Sequence, residues 1–223
     1  MDRTSKQFAG ELADLRSGFL AMGSLVERQF NNALLAIETG DQSLVEAVLM
    51  QERLVNDKQL ELEKLGLEVI AKRQPAAVDL RQIMCTHSAV NDLERIGDEV
   101  TKIARRSQQL QVSERFQALR LNELKHLGAL AQAMLSASLK SFANSDVIAA
   151  SEIIAKDVVV DREFDRVMRL LETYMVEDTR TITAGLDVAF LAKAIERVAD
   201  HAKNISEYTI YIVQGYDPRH SSL

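Results

Sequence analysis

Glu94 and Asp98 stand four residues apart, and Glu196 and Asp200 repeat that spacing in the second half of the chain. On a helix, positions i and i+4 stack on one face, so each pair offers two carboxylates within reach of one point. Asp57 with Glu61, and Asp161 with Asp165, form a second set at the same spacing. Like charges so placed repel by roughly 0.2–0.5 kcal/mol per pair unless something neutralises them. If the helices carrying these pairs adjoin, four carboxylates converge at one site in each half, and a cation offsets their repulsion. Oxygen-only donors suit Mg²⁺ or Mn²⁺, and Fe or Zn²⁺ remain admissible. A lone Glu-x-x-x-Asp is common on solvated helix faces, where Arg95 or Arg197 alone would balance it. Duplication of the whole arrangement is what raises the pattern above that background.

The elements that must position these acids are helices. Apolar residues recur at three- and four-residue steps over nearly the whole chain. The first stretch runs from about Phe8 to Glu38 and breaks at Gly40-Asp41. Ser43 followed by Glu46 reads as a capping box for the second, which closes at Lys72-Arg73. Pro75 stops it and can open the third, expected over Ala76–Gln109. Three more follow, from Ser113 to Phe142, from Val147 to Glu177 and from Gly185 to Val213. Short connections place consecutive helices antiparallel. The expected fold is all-α: two tandem antiparallel three-helix bundles related by internal duplication, residues 1–109 and 110–223. Glu94-Arg95-Ile96-Gly97-Asp98 corresponds to Glu196-Arg197-Val198-Ala199-Asp200, and Asp57–Glu61 is matched to Asp161–Asp165. Leu93, Ile96, Val100 and Ile103 define the buried stripe of the third helix, which puts Glu94 and Asp98 on its flank.

Composition narrows the function classes. With 223 residues, nine Gly and two Pro, the chain lacks the regular turn signals of an all-β fold. A net charge of −6 gives no general field for nucleic acid. Cys85 has no partner in the chain, which suits a reducing compartment. The opening Met1–Gln7 does not read as a signal peptide, and no apolar run reaches membrane-spanning length. A cytoplasmic protein is expected.

Other residues invite chemistry less strongly. Glu123 and His126 form an isolated Glu-x-x-His, whereas di-metal oxidases need that motif on two helices; a solvated Glu and a rim histidine are expected. Cys85 reads as a small core residue, His201 as a surface histidine, and Met22, Met50, Met84, Met134, Met168 and Met175 as core filling. There is no phosphate-cradling glycine loop and no nucleophile elbow. Gly215–Leu223 is expected to be a loose tail after the last helix.

The segments Gln74-Pro75-Ala76-Ala77-Val78-Asp79-Leu80-Arg81, Asn91–Asp98 and Ile195–Tyr208 resemble the PhoU family of phosphate-uptake regulators, and the likeness covers essentially the whole chain. That resemblance implies a metal cluster on each bundle, held by Asp57, Glu61, Glu94 and Asp98 in one half and by Asp161, Asp165, Glu196 and Asp200 in the other. It implies a regulator rather than an enzyme. The implied partners are the ATPase subunit of the phosphate ABC transporter and a phosphate sensor histidine kinase, with the membrane met only through them. It also implies a homodimer. One departure is visible: Gln74-Pro75 and Asp79-Leu80-Arg81 have only a degraded echo around Gly185-Leu186-Asp187. Two rival readings stand beside this one. The first is a di-metal oxidase or hydrolase, which needs core-facing carboxylates; the second is a metal-free helical scaffold.

Overall fold

A computed structural model describes residues 3–111 and 122–218. Six long helices account for nearly all of it: α1 Arg3–Thr39, α2 Gln42–Arg73, α3 Ala77–Gln111, α4 Asn122–Asn144, α5 Val147–Glu177 and α6 Ile182–Gln214. The expected start of the fourth helix at Ser113 lies outside the described residues, as do the last residues of the tail.

The breaks between helices follow from local chemistry. Gly40 adopts a left-handed φ of 70° that ends α1. The α2 cap is Asp41 rather than the expected Ser43: Asp41 Oδ1 accepts from the Ser43 backbone N–H at 2.8 Å and from its hydroxyl at 2.7 Å. Those bonds hold the Asp41 carboxyl below its ordinary range. Gln74, also left-handed, closes α2 by donating its N–H to Ile70 O at 3.0 Å. Pro75 stands between helices, and α3 begins two residues after it. α6 starts three residues before the expected Gly185, because Asp178 organises a 3-10 turn over Thr179–Thr181 that leads straight into it.

Each set of three consecutive helices packs mutually, and the two sets join where α3 lies on α6 and α1 on α4. The buried stripes run on into a single core. Leu93, Ile96 and Ile103 of α3 are fully buried, as are Ile195, Val198 and Ile205 of α6. Phe19 of α1 and Phe142 of α4 meet with ring centroids 4.4 Å apart. Gly23 and Gly128 let α1 and α4 approach closely, since a Cβ at either would fall within 3 Å of Leu139 or Leu34. At the far end, Arg81 donates to Ile212 O and stacks over Tyr211, tying the start of α3 to the end of α6.

Core assignments from sequence need two corrections. Met22 and Met134 are buried, but Met50 and Met84 are 71% and 50% exposed because they fall off the buried stripes of α2 and α3. His201 is not a surface residue: it is 8% exposed, and its Nδ1 lies 2.6 Å from Asp92 Oδ1 across the α3–α6 join. Asn204 donates to the same oxygen at 3.1 Å. Cys85 is buried as expected.

Candidate metal centre

The buried stripes fix the register of the internal repeat. On α3 and α6, Leu93, Ile96, Val100 and Ile103 match Ile195, Val198, Ala202 and Ile205, each 102 residues on. On α2 and α5, Val45, Val48, Val55 and Leu62 match Ala150, Ile153, Val160 and Val167, each 105 residues on. Matching Asp57 to Asp161 uses a shift of 104 and is therefore one residue out, a rotation of about 100° on a helix. In the correct register Glu52 and Asn56 answer to Asp157 and Asp161.

In the first half, Glu94 is half-buried and Asp98 exposed on the flank of α3. The α2 charges acting on Glu94 are Glu52 and Glu63. Asp57 and Glu61 are both exposed, and Glu61 is engaged by Lys58 at 2.8 Å. The reason is helical phase: Asp57 lies two residues, about 200°, from buried Val55, whereas Glu52 sits one turn after Val48 and one turn before Val55. Gln29 of α1, fully buried, donates from Nε2 to Glu52 Oε2 at 2.8 Å and to Val48 O at 3.3 Å. Thr101 donates its hydroxyl to the same Glu52 oxygen at 3.0 Å. Gln29 Oε1 has no hydrogen-bond partner. Gly97, between the two acids of α3, makes room for this: a Cβ there would stand 3.1 Å from Glu52 Oε2 and 3.4 Å from Gln29 Oε1.

The second half has the same frame with different occupants. Glu196 is buried and Asp200 half-buried on α6, and Asp157 of α5 is 7% exposed. Asp161 and Asp165 are exposed. Lys203, which takes the place of Thr101, donates to Asp157 Oδ2. Lys193 lies 2.6 Å from Glu196 Oε2 and reaches over the Phe164 ring. Where the first half stabilises its α2 carboxylate with neutral donors, the second uses ammonium groups.

The fields follow from this placement. Burial first, then the charges of Asp98 and Glu52, push the Glu94 carboxyl above its ordinary range against the pull of Arg95. Burial first, then Glu196 and Asp157, raise Asp200, with Lys193 and Lys203 opposing. Lys203 is itself raised, chiefly by its bond to Asp157. Each half thus holds an under-neutralised carboxylate site of oxygen donors, a donor set that fits a hard divalent cation or iron. Among the described residues, no three His, Cys, Asp or Glu side chains are drawn together closely enough to hold an ion as they stand. Glu123 and His126 lie on α4, with His126 exposed and Glu123 3.8 Å from Arg166, away from both sites.

Comparison with known proteins bears on the repeat and the overall fold. A family model described as the PhoU domain matches residues 19–107 and again 124–209. The chain is 41% identical over 220 residues to the phosphate-specific transport system accessory protein PhoU homolog of Pseudomonas aeruginosa, covering 98% of this chain and 90% of that one. It is 38% identical over 216 residues to the accessory protein PhoU of Escherichia coli, covering 97% and 89%. The crystal structure of PhoU from Pseudomonas aeruginosa superposes with a TM-score of 0.90 at 40% identity, over 94% of this chain and all of that one. That of the phosphate transport system regulatory protein PhoU from Streptococcus pneumoniae gives 0.86 at 28% identity, over 94% and 98%. The chain belongs to the PhoU family.

Proposed function

We propose that this protein is a cytoplasmic regulator of phosphate uptake that holds the phosphate-starvation response off when phosphate is plentiful. It acts without catalysis, as a homodimer, by contacts with the ATPase subunit of the phosphate ABC transporter and with the sensor histidine kinase. The observation that carries the reading is the likeness, over nearly the whole chain, to proteins named as accessory to the phosphate-specific transport system. No helix of the described residues is long and apolar enough to cross a membrane, which agrees with action through membrane-bound partners.

Metal ions on each bundle belong to the same proposal. Glu94, Asp98, Glu196 and Asp200 are carried forward from the sequence. On the neighbouring helices Glu52 and Asp157 replace Asp57, Glu61 and Asp165, and Asp161 stays as the residue one turn after Asp157. A bound cation of Fe, Zn, Mn or Mg supplies positive charge and so lowers the cost of ionising these acids side by side. The chain's own part is to hold Glu52 through Gln29 and Thr101 and to set α2 against α3 through Gly97.

Deleting the gene tests the regulatory reading. Phosphate-starvation genes should be expressed in phosphate-rich medium, and restored repression should follow from the wild-type gene. Unchanged expression in the deletion strain overturns it.

A further inference from the structure

The α3–α6 join opens into a groove of about 370 Å³ whose charge the packing does not require. Lys102, Arg105 and Arg106 line it from α3, and Phe190, Lys193 and Arg197 from α6. Three acids answer these five cations. Glu99 takes Lys102 at 3.0 Å and Arg197 at 2.9 Å, Asp187 takes Arg106 at 2.8 Å, and Glu196 takes Lys193. Arg105 is exposed, with no acidic partner among the described residues. In a chain of net charge −6 this is a local reversal of sign.

The internal repeat shows what the fold itself demands. Positions 102, 105 and 106 correspond to Asn204, Glu207 and Tyr208, and positions 190 and 193 to Ser88 and Asn91. The same helix packing thus accommodates neutral or acidic residues at these places, so four of the five cations and the aromatic ring are peculiar to one side, while Arg197 repeats as Arg95. Beside them, Ile182, Leu186 and Phe190 recur at one-turn steps on α6 and are 41%, 48% and 58% exposed. The Arg106 guanidinium lies 4.4 Å from the centroid of the Phe190 ring, a cation–π contact in the groove lining.

We infer that this groove docks an acidic amphipathic segment of a partner protein, its carboxylates against Lys102, Arg105 and Lys193 and its apolar side chains on the Ile182–Leu186–Phe190 ridge. The inference rests on the regulatory reading above and names the surface and the chemistry of the contact. A compact anion is the poorer fit, because four of the five cations already share an acid and do not converge as bare charges. An extended acidic segment meets the exposed faces of these pairs one by one, and the apolar ridge gives it a second kind of contact.

Photo-cross-linking in cells tests it. A cross-linking aromatic amino acid is placed at position 105, at position 190 and, as a control, at exposed Leu67 of α2. Positions 105 and 190 should link to a net-acidic segment of the transporter ATPase subunit or the sensor kinase. Lys102→Glu with Arg105→Glu should cut the link from position 190 roughly tenfold. Their folding is checked by thermal melting: both side chains are exposed, and Glu99 keeps Arg197. Links to those partners from position 67 alone would overturn the groove and leave the regulatory reading standing. Links from position 105 or 190 to an acidic segment of an unrelated protein would do the reverse. A second copy of this chain at those positions, a non-acidic segment, or no link there overturns the inference.

Discussion

Lys203 donates to the Asp157 carboxylate at the place where, one repeat earlier, the Thr101 hydroxyl donates to Glu52. The two halves share a frame and differ in how they balance its negative charge. A half-buried ammonium pairs with the α5 carboxylate in the second half, whereas among the described residues the α2 carboxylate Glu52 is bonded only by neutral donors in the first.

Lys203→Met should therefore make the second site depend on metal. In metal-free protein the substitution leaves Asp157 buried and unpaired, at a cost of about 1–2 kcal/mol. For a chain of this length that is a melting temperature lower by roughly 2–8 °C. Adding Mn²⁺ should recover most of the loss, more than it raises wild-type stability, as scanning calorimetry would show. An equal rise in both proteins would contradict this.

The pH dependence has a defined sign. Glu94 and Asp200 have folded-state carboxyls raised above their unfolded values. The stability each contributes is full below the unfolded pKa of about 4 and is lost as pH rises through the folded value. Neutral substitutes cannot suffer that loss. Glu94→Gln with Asp200→Asn should thus be more stable than wild type at neutral pH without metal, and no more stable near pH 4, by chemical denaturation at both pH values. The same pair should abolish stabilisation by Mn²⁺.

Asp92 sits 5% exposed between two donors of α6, His201 and Asn204. Asp92→Ala strands both inside the α3–α6 join and should cost about 3 kcal/mol. The melting temperature should fall by roughly 6–12 °C. Replacing His201 as well should add less than the His201 single change does, because the residues share one network. Strict additivity in the thermal melts would argue that they act independently.

Gly97 leaves the room that Glu52 and Gln29 occupy beside α3. A valine there pushes on Glu52 Oε2, which a Cβ alone would approach to 3.1 Å. Gly97→Val should weaken metal binding in the first half roughly tenfold, by calorimetric titration, while the second half is unchanged. Gly97→Ala should be milder, since Ala199 fills the equivalent position.

The helices were legible because each element shows its apolar spacing and its break residues locally. The α5 bounds agree to the residue, and the flanking placement of Glu94 and Asp98 followed from the Leu93–Ile103 stripe. What sequence missed depends on contacts between helices. Asp57 and Glu61 match a carboxylate spacing and lie on a solvent face, while the correspondence of Glu52 with Asp157 emerges only when the buried stripes are aligned. Alignment of Val48 with Ile153 and Val55 with Val160 was the available signal. His201 looked like a surface histidine because the residue that buries it, Asp92, comes from the other bundle. Residue type points Met50 and Met84 to the core, whereas helical phase puts both on the surface.

Anomalous scattering from crystals grown with Mn²⁺ tests the carboxylate sites most directly. The account predicts density bounded by Glu52, Glu94 and Asp98 in the first half and, at higher metal concentration, by Asp157, Glu196 and Asp200 in the second. Anomalous peaks beside Asp57 and Glu61, or none at either site in metal-saturated crystals, would contradict it.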